Sequence, residues 1–199
     1  MKSIFVSLVV GLLVSACAVQ TKQYYLPTDP KLAKEGTVCG VPYGDISVPL
    51  GEMLRASVSA IPSEQSIGLF LQLSLPLGTK VRFLTPELGI EVPGTRQVYS
   101  SPLDSFSISN YGEGGRPGHV ESVAPSALLE GKGRNLRLAT IGTQYLESDL
   151  FISRTSVPVA PTDAAVLLFP AVEVNGALIK PQRIPLRLVK KTGALICVQ

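Results

Sequence analysis

The chain of 199 residues has no tryptophan and one histidine, His119, and aromatic residues make up only 6% of it. Each scarcity excludes something. Carbohydrate-binding modules rely on exposed aromatic rings, tryptophan above all. Here only Tyr43, Tyr99, Tyr111 and Tyr145 remain for that work in the body of the chain, because its phenylalanines mostly fall in registers that read as buried. A metal centre needs several His, Cys or carboxylate ligands together, and the acids are scattered, so neither metal nor cofactor is expected. No G-x-S-x-G elbow is present. The Gly-Lys of "LLEGKGRN" lacks both the Walker spacing and a following Ser or Thr. No catalytic motif stands out, and the sequence reads as a non-enzyme. Carboxylate pairs for glycoside cleavage need not be neighbours in sequence, so that chemistry stays open. Charge is nearly balanced, with 18 Lys and Arg against 15 acids. Lys190-Lys191 is the one adjacent basic pair. A nucleic-acid binder concentrates its basic residues, which excludes that class of partner.

Long hydrophobic runs are also missing. The longest apolar segment, Ile4 to Val14, has 11 residues, whereas a membrane-spanning helix needs about 20. Eleven residues suit the hydrophobic region of a secretory signal, with Lys2 before it and small residues after it. Val14, Ser15 and Ala16 then precede Cys17. This order resembles the lipobox of bacterial lipoproteins: an aliphatic residue, two small ones and a cysteine. The resemblance covers about a tenth of the chain. It implies that residues 1–16 are a signal peptide, and that the Cys17 thiol carries a diacylglycerol and its new amino group a further acyl chain. At ~0.8 kcal/mol per buried methylene, such an anchor holds where one chain is marginal. Ala18 stands where an inner-membrane lipoprotein usually has Asp, which by the same resemblance implies the outer membrane, on either its periplasmic or its exterior face.

Three cysteines are an odd number. Lipidation of Cys17 leaves Cys39 and Cys197, which can pair in an oxidising envelope compartment. The closed loop would span 158 positions, and chain entropy credits such a bridge with ~5 kcal/mol at most. The alternative is two separate buried thiols.

Residues 17–36 read as the lipidated N-terminus and a flexible tether, since "AVQTKQYYLPTDPKLAKEG" mixes charges and prolines without a periodic apolar pattern. Such a chain reaches ~25 Å from the bilayer. Tyr24 and Tyr25 would rest at the lipid interface or against the domain. Residues 37–199 form the folded part, where apolar residues alternate. "IGLFLQLSL" puts Ile67, Leu69, Leu71, Leu73 and Leu75 on one face. "TKVRFL", "SFSISNY" and "RIPLRLVKK" repeat the pattern, with Pro185 marking an edge strand or a bulge. Asn175-Gly176 predicts a two-residue type I′ turn between strands ending at Val174 and starting at Ala177. Thr192-Gly193 suggests a second turn. "DPKLAKEG" and "APSALLEGK" each suit a turn or two of helix. "VPLGEMLR" and "LPLGTKVR", 27 positions apart, are either two related hairpins or a coincidence.

The predicted fold is all-β: an antiparallel β-sandwich, immunoglobulin-like or similar, with at most one or two short helices. One glycine-rich stretch, "NYGEGGRPGHVES", could bring Tyr111, Glu113, Arg116 and His119 together at a loop tip, or simply leave them facing water. The expected function is an accessory or scaffold role in the cell envelope, with the bilayer and another envelope protein as partners. The second reading is a domain that binds sugar or cell-wall fragments through the 110–120 loop.

Overall fold

The computed structural model of the protein describes residues 19–111, 117–133, 135–136 and 147–194. Their alternating apolar residues form seventeen strands. The first eight are β1 (Val19–Pro27), β2 (Ala33–Val38), β3 (Val41–Pro49), β4 (Arg55–Pro62), β5 (Ile67–Pro76), β6 (Lys80–Phe83), β7 (Glu87–Val92) and β8 (Gln97–Pro102). There follow β9 (Phe106–Tyr111), β10 (Pro117–Val123), β11 (Leu129–Glu130), β12 (Asn135–Leu136) and β13 (Glu147–Val157). The last are β14 (Ala164–Phe169), β15 (Val172–Val174), β16 (Ala177–Ile179) and β17 (Gln182–Ala194). Among the described residues the one helical element is a 3-10 turn at Pro30–Leu32, within "DPKLAKEG", where the Asp29 carboxylate accepts from the Lys31 N–H at 2.9 Å. "APSALLEGK" forms a turn and then β11 instead.

All strand pairs are antiparallel. A five-stranded sheet runs β1-β17-β14-β7-β8, and an eight-stranded one runs β10-β9-β13-β5-β4-β3-β2, with β12 on β13. A four-stranded sheet, β11-β6-β15-β16, joins them. The result is the expected all-β, sandwich-like arrangement. Ile67, Leu69, Leu71, Leu73 and Leu75 of β5 are each no more than 1% exposed. They share one core with Val58 of β4, Ile90 of β7 and Leu167 of β14. Burying one such leucine is worth ~1.5–3 kcal/mol. Phe83, from the small sheet, meets Phe106 at 5.5 Å and Phe169 at 6.1 Å between ring centres, so one ring ties the three sheets together.

Turn chemistry accounts for two hairpins. Asn175 and Gly176 have φ of 50° and 84°, the type I′ signature, and join β15 to β16 as predicted. The Asn175 side chain also accepts from the Lys80 N–H at 2.8 Å, which fixes the turn to β6. Cys39 and Gly40 do the same between β2 and β3, with φ of 50° and 75°. Cysteine is an unusual choice for a position with positive φ.

Three sequence readings need correction. The stretch taken as a tether holds β1, the 3-10 turn and β2, so residues from Val19 onward, and not only from 37, belong to the fold. Tyr24, Tyr25 and Leu26 are 3%, 0% and 0% exposed. A strand covered on both faces shows a continuous apolar run, not alternation, and three residues are too few to stand out. Thr192-Gly193 is no turn, because β17 continues through it to Ala194. Gly193 is required by close approach: a Cβ there would run into the Gly40 carbonyl oxygen. Pro185 lies neither on an edge strand nor in a bulge, for β17 sits between β1 and β14 in unbroken register. Its carbonyl accepts from the Thr28 N–H at 2.9 Å just past the end of β1, so its missing N–H faces no strand partner. For the two Pro-Leu-Gly segments, read as related hairpins or a coincidence, the connections they make do not form a pair of hairpins. The first links paired strands β3 and β4, and the second carries the chain from the eight-stranded to the four-stranded sheet.

Candidate functional site

Strand β3 pairs with β4 only from Ile46 to Pro49, opposite Val58 to Arg55. Strand β4 stays paired with β5 as far as Pro62, while β3 follows β2 out to the Cys39-Gly40 turn. The β2–β3 hairpin therefore parts from the sheet and opens a cleft of about 660 Å³. Gln20, Lys22 and Tyr24 of β1 line it, facing Tyr43 and Asp45 of β3 and Ser59 of β4. The Ser59 hydroxyl donates to the Asp45 carboxylate at the point where the strands separate. Continuing the register past Ile46 would pair these two residues, so their side chains bond where the backbone ladder has stopped.

Two adjacent tyrosines hold β1 in place in different ways. The Tyr25 hydroxyl donates to the Thr162 carbonyl at 2.7 Å and accepts from the Thr162 N–H at 3.0 Å. Tyr24 packs over Gly44, whose missing side chain makes room for the ring: a Cβ there would lie 2.5 Å from Tyr24 Cε2. The Tyr24 hydroxyl is buried and has no hydrogen-bond partner among the described residues. Burial raises the pKa of both phenols. Next to Tyr24, Lys191 donates to the Glu35 carboxylate, and this hydrogen bond raises the ammonium pKa. Lys22 and Lys34, also in the cleft, have no ion-pair partner among the described residues.

At the other end of the same strands the chemistry reverses. A groove of about 410 Å³ lies between the β3–β4 connection and the β15–β16 hairpin. Met53, Leu54, Pro76, Val174 and Ile179 line it. Met53 is 82% exposed, and Leu178 on the hairpin is 62% exposed. The nine residues of β3, at ~3.3 Å each, put this groove ~25–30 Å from the Cys39 turn.

The predicted site residues fall as follows. Cys17, Glu113, Arg116, Tyr145 and Cys197 lie outside the described residues. Tyr111 ends β9 and His119 lies in β10, and these strands pair with Pro117 opposite Tyr111, so both belong to a hairpin rather than to a free loop. Cys39 is exposed at its turn and disulfide-bonded, with its partner sulfur outside the described residues. The chain ends nearest to it are known: Val19 pairs with Ala194, and Gly193 rests on Gly40. Both described termini of the fold thus meet beside Cys39. The cleft was not foreseen. Its one legible trace is the Tyr-Tyr-Leu run among polar residues, too apolar for a solvated linker.

Among the described residues, no three His, Cys, Asp or Glu side chains gather as a metal set, and no helix is long and apolar enough to cross a membrane. No family model matches the chain, and no curated protein or solved structure matches it either.

Proposed function

We propose that the protein is a lipoprotein of the outer membrane, held in the bilayer through acylated Cys17, with a non-enzymatic accessory or scaffold role toward another envelope protein. The observation that carries this reading is the separation of two ends. Strand β1 starts at Val19, two residues after Cys17, and is hydrogen-bonded to β17 along its whole length. An anchor at Cys17 would therefore hold the fold against the membrane with almost no leash. The apolar groove at Met53 and Ile179 would then point away from the bilayer, where a partner's apolar segment can reach it.

Two experiments test the two halves. The mass of the mature N-terminus should be that of triacylated cysteine, and Cys17→Ser should release soluble protein or leave uncleaved precursor. Membrane retention of a processed Cys17→Ser form would overturn the anchor. Cross-linking in solubilised membranes should capture a protein with the native chain and lose it with Met53→Glu plus Ala177→Glu, both in the groove lining and both exposed. Stability should then change by less than ~0.5 kcal/mol. Unchanged capture would remove the groove from the interface.

The second reading, a domain that binds sugar or cell-wall fragments, rests on the 110–120 stretch, and the cleft offers it a second location. A 660 Å³ hollow lined by lysine, glutamine and tyrosine side chains suits a small polar molecule.

A further inference from the structure

We propose that the cleft between the β2–β3 hairpin and β4 binds the headgroup of an anionic phospholipid. This rests on the anchored reading of Cys17, which brings that end of the fold to the membrane surface.

Five observations point to this ligand. Lys22 and Lys34 stand in the cleft without ion-pair partners among the described residues, ready for charge-assisted bonds to phosphate oxygens. Gln20, Gln23 and Gln72 add amide donors, which bind a headgroup's phosphate or glycerol oxygens without bringing a competing charge. The Asp45 carboxylate, the one acid lining the cleft, is bonded to Ser59. Tyr24, 3% exposed, is one of the residues lining the cleft, and its buried hydroxyl has no hydrogen-bond partner among the described residues, whereas a buried hydroxyl in a native fold nearly always has one. Val38 and Ile61 in its walls are 64% and 55% exposed, an apolar margin of the kind that the first methylenes of a lipid would cover.

Position separates a lipid from free phosphate. The cleft lies at the end of the fold where Val19 and Ala194 meet beside the Cys39 turn. Chain leaving Val19 towards Cys17 starts from this end. A free anion would use the lysines but leave the apolar margin bare.

The test measures hydrogen exchange of the mature lipoprotein in lipid nanodiscs, at the amides of Val41–Asp45 and Ser59–Ile61. Discs of phosphatidylcholine alone are compared with discs that also contain phosphatidylglycerol. With phosphatidylglycerol, exchange should slow by about tenfold, as expected when nine cleft openings in ten are occupied. Lys22→Glu with Lys34→Glu should abolish that protection and leave the melting temperature unchanged, since both side chains are exposed. Equal protection by inorganic phosphate in phosphatidylcholine discs would make this a free-anion site and overturn the lipid assignment. No protection in any arm, in a sample whose Cys17 is shown by mass to be acylated, overturns the cleft site and leaves the anchor standing. Protection by phosphatidylglycerol vesicles in a chain whose Cys17 proves unmodified overturns the anchor and supports the cleft.

Discussion

Strands β3, β4 and β5 end in two different chemistries. At one end β3 and β4 are joined by a closed hairpin, with the Leu50 N–H on the Leu54 carbonyl at 2.8 Å, and beside it the apolar Met53 is 82% exposed. At the other end the same two strands part, and the gap is lined by lysines, glutamines and tyrosines. The difference shows that a sheet can lose its ladder locally when a third strand takes over the packing. Strand β1 does this, seating Tyr24 on Gly44 where a β4 neighbour would otherwise complete the sheet. The open end depends on β1, whereas the closed end depends on its own turn.

That contrast can be broken at the open end by four measurements. The largest effect should come from reduction. Cys39 is bonded, and with Cys197 as the partner expected from the sequence, opening so long a loop should cost about 5 kcal/mol on the chain-entropy account. Peptide mapping should find Cys39 linked to Cys197, and an unchanged urea midpoint under reductant would remove the staple from the stability of this end. Next comes Gly193→Ala. Its Cβ would meet the Gly40 backbone, and overpacking of this kind costs about 2–3 kcal/mol. A neutral result would mean that the chain ends are not locked to the Cys39 turn.

Tyr25→Phe should cost about 1–2 kcal/mol, because it strips the Thr162 N–H and carbonyl of their partner. The same hydroxyl governs behaviour in alkali. Burial raises the Tyr25 pKa above its ordinary 10.0, with the hydrogen bonds to Thr162 opposing, so the unfolded chain loses its proton first. Stability is then full below about pH 10 and falls as pH rises through the folded-state value. Tyr24, raised by burial, and Lys191, raised by its bond to Glu35, act in the same direction. Urea midpoints of Tyr25→Phe should decline less steeply above pH 10 than those of the native chain, and parallel curves would refute this origin. The smallest effect belongs to the neighbouring residue. Tyr24→Phe removes a hydroxyl without a partner among the described residues and should change stability by less than about 0.5 kcal/mol, in either direction. A loss as large as that of Tyr25→Phe would reveal a bound water or ligand on the Tyr24 hydroxyl.

Much of the frame was legible because its signals are local. Alternation over "IGLFLQLSL" predicts which face of β5 is buried, and Asn175-Gly176 names its own turn. The candidate site was not legible, for several distinct reasons. The Cys39-Gly40 turn hides behind a residue that turn statistics do not favour. Gly193 resembles a turn signal, but serves a contact with a residue more than 150 positions away. Tyr24 and Tyr25 sit in a stretch whose polar neighbours resemble a linker, because nothing local tells an edge strand with solvated flanks from a tether. The parting of β3 from β4 leaves no trace in either strand, since both keep their alternation through it.

The sequence by itself determined the all-β class, the buried faces of β5, β6, β9 and β17 and the β15–β16 turn, because side-chain alternation and turn preference act over a few residues. Tertiary structure alone decided that β1 belongs to the fold, that the two described chain ends meet beside Cys39, and that a cleft opens between β3 and β4. Those outcomes depend on which strand finds which edge, and that choice is made by packing between residues far apart in the chain.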